Sequence, residues 1–337
     1  MSIEKPYLLF LGDVPDQLAA KTATGVVDWR PDWCVGQTRL EGCKADTGLP
    51  DMTIAEGRAA GGRTLVIGAV NPGGVLPDNW VASVVEAIEA GMDVASGLHM
   101  RLGSSPEIRE AAERRGARLH DVRHADRQFA TGKGFRRSGK RLLTVGTDCS
   151  IGKKYTALAL EREMSARGFD AEFCATGQTG VLIAGRGVAI DAVIADFISG
   201  AVEWLTPEAA PDHWQIVEGQ GSLFHPSFAG VSLGLLHGAQ PDAFIVCHEP
   251  TRTTMRNVRT PIPDVADVID LTVRHGRLNN QDIRCVGISV NTSALDAAEA
   301  DACLRQLSER FDLPAVDPIR MGVLPIVERL ETEFPRP

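Results

Sequence analysis

The sequence is poor in aromatic residues and lacks any pattern for a structural metal or a disulfide framework. Aromatic side chains make up 5% of the 337 residues, and the 7 cysteines are scattered with no Cys-x-x-Cys pair. Cysteines in this arrangement are typical of small buried side chains in a reducing compartment. We therefore expect a cytoplasmic location and neither a zinc site nor disulfide bonds.

An excess of positive charge and long apolar runs are also missing. The formal net charge is −9, so electrostatics give no support to nucleic acid as a partner. We find no apolar run long enough to span a bilayer and no signal peptide. The expected partners are therefore small molecules, with no nucleic acid and no membrane among them.

Strand and helix patterns alternate along the chain, which predicts an α/β fold with parallel sheets. Residues 1–125 should form a Rossmann-like, doubly wound domain, with strands at 7–12, 64–74, 92–98 and 117–122 and helices at 78–91 and 105–116. A polar, basic stretch at 126–140 is predicted to be a solvated linker.

Residues 141–337 predict a second α/β domain whose ligands should lie at the carboxyl ends of its strands. The predicted strands are 141–146, 170–177, 213–219, 242–250 and 283–291. The predicted helices are 152–167, a helix around 190–204, and 296–312.

The stretch "GTDCSIGKK" predicts a phosphate-binding loop between the first strand and first helix of that domain. The usual pattern is G-x-x-x-x-G-K-[S/T], but here five residues separate the glycines and Lys154 replaces the hydroxyl residue. That hydroxyl normally ligates Mg²⁺, and an ammonium has no lone pair to offer. Thr156, two residues on, should point elsewhere. We therefore expect phosphate binding without a metal, by Gly146, Thr147, Asp148, Cys149, Ser150, Ile151, Gly152, Lys153 and Lys154.

The same loop resembles that of dethiobiotin synthetases and related P-loop proteins. "VEGQGSL" at 217–223 is similar to a second segment of those enzymes, where a glutamate helps to hold magnesium. That glutamate would correspond to Glu218. Proteins of this group often pair across a two-fold axis, so the resemblance also implies a homo-oligomer.

Together with "ATGQTG" and "HGAQPDAFIVCHEPTR", these motifs resemble a bacterial P-loop family long described as of unknown function and typified by a D-glutamate N-acetyltransferase. The resemblance covers nearly the whole chain. It implies transfer of an acetyl group from acetyl-CoA, as co-substrate, to the amine of D-glutamate in D-amino-acid catabolism. The alternatives are an ATP-dependent ligase or kinase of the dethiobiotin-synthetase type and a nucleotide-binding regulator.

Acetyl transfer needs a base for the amine, and three side chains are candidates. Glu218 is our first choice because it ends a predicted strand beside the loop, although a structural role as a hydrogen-bond acceptor is the alternative. His225 and His248 are the other candidates, each with an ordinary hydrogen-bonded histidine as the alternative. Cys149 could instead carry the acetyl group in a two-step route, or simply pack the loop.

Cationic side chains should bind the substrate carboxylates. Arg252 and Arg256 are spaced i, i+4, so they would point the same way on a helix, although surface arginines are the alternative. A glycine-rich loop at 175–187 could supply backbone donors and Arg186, or be a flexible connection. Further polar candidates are Asp191 and Asp196, either of which could bind the substrate ammonium, and Asn71, His99 and Arg101 in the first domain.

Overall fold

The structure is a computed structural model that describes residues 3–69, 75–125 and 127–335. The chain divides into two compact units, the first comprising residues 1–127 and 177–192 and the second residues 128–176 and 193–337. The segment 177–192 therefore belongs to the first unit, whereas the sequence had placed it in the second domain. No helix within the described ranges has the length and apolar character needed to cross a membrane.

The first unit contains a parallel sheet covered by helices. Within its described residues, the strands lie in the order β2-β1-β3-β4-β5, and every pairing is parallel. Its elements are β1 (Tyr7–Gly12), α1 (Lys21–Trp29), β2 (Cys34–Arg39), α2 (Ile54–Ala59), β3 (Thr64–Ile67), α3 (Asp78–Glu89), β4 (Asp93–Ser96), α4 (Pro106–Arg115) and β5 (Leu119–Asp121). Every residue of β1 and β3 is buried, as expected when both faces of a parallel sheet are covered.

The second unit contains a larger parallel sheet. Six strands are described in the order β11-β10-β9-β6-β8-β7. The elements, in chain order, are β6 (Lys140–Gly146), α5 (Lys153–Ala166), β7 (Ala171–Cys174), α6 (Gln178–Ala184, in the first unit), α7 (Ile198–Leu205), β8 (Trp214–Val217), α8 (Ala229–Ala239), β9 (Ala243–His248), α9 (Val265–Gly276), β10 (Arg284–Val290), α10 (Ala297–Phe311), β11 (Ala315–Val316) and α11 (Leu324–Glu333). The two-domain α/β fold expected from the sequence is confirmed.

Three local predictions need correction. The stretch 175–187 is not a loop throughout, because it contains α6. The helix expected around 190–204 consists of two short 3-10 turns, at 190–192 and 195–197, followed by α7. The stretch 249–258 is not helical: it turns back on itself through a bridge between Thr254 and Pro261.

The basic stretch before β6 is mostly exposed, but a few of its residues make specific contacts with the rest of the second unit. Arg137 is mostly buried and donates hydrogen bonds to the carbonyls of Thr206, at 2.8 Å, and Gly238, at 2.7 Å. The backbone N–H groups of Lys133 and Gly134 donate to the carboxylate of Glu203. Lys133, Gly134 and Arg137 therefore join this exposed stretch to α7 and α8.

Strand order determines which side chains can meet at the phosphate loop. β6 lies between β9 and β8, and both pairings are parallel. The carboxyl ends of the three strands therefore point the same way, and the loop after β6 lies between the segments that follow β8 and β9. This is the edge at which ligands of α/β sheets gather.

Candidate active site

The loop between β6 and α5 has the backbone shape expected of an anion site. Ser150 and Gly152 have positive φ values of 54° and 108°, and Gly152 caps α5. A Cβ on Gly146 would lie 2.7 Å from Ile151 Cδ1 and 3.0 Å from the Cys247 carbonyl oxygen, so glycine lets the loop pack closely over the strand end. The N-terminus of α5 therefore faces the interior of the loop, where its dipole favours an anion.

Lys153 lies inside this loop. Its side chain is buried, and Nζ donates to the Asp148 carbonyl oxygen at 2.6 Å. Burial lowers the pKa of the ammonium, and nearby Cys247, Cys149 and Asp148 act in the opposite direction. This hydrogen-bond partner is a neutral carbonyl, which does not cancel the positive charge that an incoming anion would meet.

Asp148 joins the loop to the segment that follows β9. Its carboxylate is fully buried and accepts hydrogen bonds from Arg252 Nη1 at 2.6 Å, the Arg256 N–H at 2.8 Å and the Cys149 N–H at 2.7 Å. Burial alone would raise the pKa of Asp148, but these hydrogen bonds hold it below its ordinary value. Arg252 also contacts Glu249 at 3.0 Å and the Cys149 carbonyl at 2.9 Å. Its guanidinium therefore braces the loop.

His225 is buried beside Asp148, and both of its ring nitrogens have partners. Nδ1 accepts the Ser227 N–H at 3.2 Å, and Nε2 lies 3.0 Å from the Arg256 carbonyl oxygen. Because that carbonyl can only accept, Nε2 carries the proton and donates it. The ring stacks on Phe228 at a centroid distance of 4.5 Å. His225 thus links its own turn to the segment that carries Arg256.

His248 ends β9 and contacts the loop from the other side. Its Nδ1 lies 3.1 Å from Thr147 Oγ1, and burial lowers the pKa of the imidazole. The described residues supply no hydrogen-bond partner for Nε2. The ring is therefore neutral near pH 7, with Thr147 able to fix the tautomer.

Glu218 follows β8, as predicted, and is buried. Its Oε2 accepts the Thr176 N–H at 3.0 Å, while Thr176 Oγ1 donates to the Glu218 carbonyl at 2.5 Å. The next residue, Gly219, has its N–H 2.9 Å from Thr144 Oγ1, and a Cβ there would lie 3.0 Å from Lys153 Cδ. Glu218 thus occupies the strand end beside β6 and contributes to the connection between β7 and β8.

One group of side chains has the spacing of metal ligands. Single atoms of Asp148, Cys149 and His225 lie within 4.8 Å of one another. The group fits a metal ion poorly, because the Asp148 carboxylate already accepts from Arg252 and His225 Nε2 carries a proton. Burial and the adjacent Asp148 also raise the pKa of the Cys149 thiol, which disfavours the thiolate that a metal needs.

The hydroxyl that would ligate Mg²⁺ in a usual P-loop is replaced by Lys154. The Nζ atom of Lys154 lies 5.1 Å from the centroid of the Tyr155 ring. Thr156 points into the core, where its Oγ1 lies 2.7 Å from Ser289 Oγ and 3.2 Å from the Gly152 carbonyl. Neither side chain therefore replaces the missing magnesium ligand.

Comparison with known proteins places both units in one family. A P-loop domain of unknown function, DUF1611, matches residues 128–327, and its Rossmann-like partner domain, DUF1611_N, matches residues 35–125. The chain belongs to the DUF1611 family. A crystal structure of a DUF1611 family protein from Anabaena variabilis aligns with a TM-score of 0.86 and 29% identity, over 98% of this chain and 100% of that one.

Two curated relatives of this DUF1611 chain carry the name D-glutamate N-acetyltransferase. The protein from Tritonibacter scottomollicae is 53% identical over 329 residues, covering 97% of this chain and 99% of the relative. The protein from Pseudoalteromonas sp is 50% identical over 331 residues, covering 98% and 100%.

Five of the remaining predicted residues of this DUF1611 chain are divided between the two units. Arg186 and Asp191 belong to the first unit, where Asp191 pairs with Arg123 at 2.6 Å. His99 accepts a hydrogen bond from His124 Nε2 through its carbonyl, at 2.8 Å, rather than through its ring. Arg101 is exposed and also belongs to the first unit. Asp196 is exposed and lies in a 3-10 turn of the second unit, and Asn71 falls outside the described residues.

Sequence reasoning missed the role of Asp148 as the anchor of a distant segment. The residue was predicted only as part of the phosphate loop, and its partner Arg252 lies 104 positions away. The one local signal was an acidic residue inside a loop meant to bind anions. Such a residue needs a cationic partner, and that need points to the arginines after β9.

Proposed function

We propose that this chain transfers the acetyl group of acetyl-CoA to the amino group of D-glutamate. The observation that carries the proposal is near full-length identity of 53% to a relative with the name D-glutamate N-acetyltransferase. The anion site of the second unit supplies the physical support, because coenzyme A is an acyl carrier that presents phosphate groups far from its reactive thiol.

The phosphate loop is proposed to bind the diphosphate of coenzyme A. Backbone N–H groups at the start of α5 and the ammonium of Lys153 suit an anion, and the loop has no hydroxyl at the usual magnesium position. Such a site holds a phosphate without having to break it. The phosphate then serves to bind the acyl donor and takes no part in the chemistry.

Among the three predicted bases, His248 has the contacts and protonation state that best support a role in proton transfer. Its imidazole is neutral near pH 7 because burial lowers its pKa, and Nδ1 is oriented by Thr147. His225 has both nitrogens engaged, and Glu218 accepts a backbone hydrogen bond. We therefore propose His248 as the base in place of Glu218.

The proposed reaction is direct transfer. The ammonium of D-glutamate gives one proton to His248, and the amine then attacks the thioester carbonyl carbon. As the C–N bond forms, the C–S bond breaks, and the second nitrogen proton ends on the departing thiolate. His248 returns its proton to solvent, so the products are N-acetyl-D-glutamate, coenzyme A and one proton.

The proposal constrains the conformation of the donor. The pantetheine arm between phosphate and thiol has the length of about four residues of extended chain, roughly 14 Å. His248 is hydrogen-bonded to the loop itself, so an extended arm would carry the thioester past it. The arm must therefore curl back along the carboxyl edge of the sheet.

The experiment is a thiol-release assay with purified protein. We expect coenzyme A to appear when acetyl-CoA and D-glutamate are both present, and a lack of release would refute the function. Formation of ADP from ATP and Mg²⁺ would favour the ligase alternative instead.

A variant of the loop lysine tests the phosphate assignment separately. Lys153→Ala should raise the KM for acetyl-CoA about 10- to 100-fold, the range of a charge-assisted hydrogen bond. Lys133→Ala, on the exposed stretch before β6, serves as the matched control and should leave KM unchanged. An unchanged KM for Lys153→Ala would contradict the assignment.

A further inference from the structure

The turn after β9 lines an open groove next to the phosphate loop. The groove has a volume of about 530 Å³, within the usual range for small-molecule sites. It is lined by Arg252, Thr254, Met255, Arg256, Asn257, Val258 and Arg259. We call it the arginine groove.

The turn that carries these residues is held firmly in place. Met255 is buried, and its N–H donates to the Thr260 carbonyl at 2.8 Å. The peptide groups of Arg256 are held at both ends, with the N–H on Asp148 at 2.8 Å and the carbonyl on His225 Nε2 at 3.0 Å. Both of those side chains are buried. The Arg256 backbone is thus tied to the phosphate loop, while its side chain is exposed.

The charges of the arginine groove are only partly compensated. Arg252 is neutralised by Asp148 and Glu249, at 2.6 and 3.0 Å. Arg256 and Arg259 are exposed, and the described part of the chain places no carboxylate in an ion pair with either. Two positive charges are therefore available in a groove that begins at the loop.

We propose that Arg256 and Arg259 bind a phosphomonoester of the acyl donor, the 3′-phosphate of coenzyme A. The assignment rests on the proposed function. A phosphomonoester carries a charge of about −1.5 to −2 at pH 7, which matches two guanidinium groups better than a single carboxylate does. The 3′-phosphate and the diphosphate sit on one ribose, a few bonds apart. The groove and the loop are likewise close together, because Asp148 of the loop accepts hydrogen bonds from Arg252 and Arg256 of the groove.

The test compares the binding of coenzyme A and dephospho-coenzyme A by calorimetric titration at low salt. Wild-type protein should bind coenzyme A about 10- to 100-fold more tightly, since charge-assisted hydrogen bonds to one phosphate are at stake. Arg256→Gln and Arg259→Gln should each weaken coenzyme A binding about tenfold, and the double variant should bind both ligands equally. Arg305→Gln, exposed on α10, is the control and should behave as wild type.

Three results would overturn the subsite: equal wild-type affinity for both ligands, equal weakening of both by the variants, or a raised KM for D-glutamate with no change for the donor. Both arginine side chains are exposed, so the variants should keep the melting temperature, and Arg259→Gln leaves the Asp148 contact untouched. Discrimination between the two ligands without acetyl transfer would remove the proposed function and leave the phosphate subsite standing.

Discussion

Replacing Asp148 by asparagine tests whether this carboxylate holds the phosphate loop together. Its two oxygens accept three hydrogen bonds, from Arg252, Arg256 and Cys149. An amide offers only one oxygen, so at least one buried donor loses its acceptor, at about 1–3 kcal/mol, and the charge-assisted bond to Arg252 loses about 1.5–3 kcal/mol. Arg252 can still pair with Glu249, so the total loss of unfolding free energy should lie at the lower end of the sum of these two ranges. We expect a loss of about 3 kcal/mol.

The pH dependence of that loss provides the sharper check. The folded-state pKa of Asp148 lies below its unfolded value, so its contribution is present above about pH 3.9 and is lost as the pH falls through the folded-state value. Urea unfolding of both proteins should show the full difference at pH 7 and a shrinking one below pH 4. Asp301→Asn, exposed on α10, should change stability by less than about 0.5 kcal/mol. A constant difference from pH 7 to pH 3 would refute the reasoning.

Three further outcomes follow from the site. His248→Asn should lower kcat/KM about 10²- to 10⁴-fold. Because burial lowers the pKa of His248, the wild-type rate should decline only below about pH 6.5. An identical pH profile in the His248→Asn variant would exclude His248 as the base. Cys149→Ala should retain turnover in the thiol-release assay, because the raised pKa keeps the thiol protonated; loss of turnover with intact folding would support the two-step route. Gly219→Ala should lower the melting temperature strongly, since its Cβ would lie 1.6 Å from the Thr144 carbonyl oxygen, whereas Gly230→Ala, with open space around it, should not.

Most strands of the two sheets could be predicted from sequence because their residues are buried on both faces. Strands β2, which is only partly buried, and β11, which has two residues, were missed. Runs such as those in β1 and β9 are continuously apolar, which is characteristic of central parallel strands. Helix α8 was missed for a related reason: its residues carry apolar, small and polar side chains with no clear amphipathic period. Helix α6 was missed because its flanking glycines resemble a loop.

The phosphate loop was predictable because its glycines and lysine lie close together in the chain. The environment of Arg252 was not, since a spacing of four between arginines fits a helix and an irregular turn equally well. Its partner Asp148 comes from a distant segment and is brought near only by the pairing of β6 with β9. Local sequence therefore predicted the phosphate loop, but not the long-range contacts that stabilise it.

The burial of Lys153 couples ligand binding to protons. Its ammonium faces a neutral carbonyl in the loop and has a lowered pKa because it is buried. A bound anion stabilises the charged form and raises that pKa, so at alkaline pH the protein takes up a proton as the anion enters. The measured heat of binding would then vary with the ionisation enthalpy of the buffer, and affinity would fall with rising pH even though the phosphate itself keeps its charge.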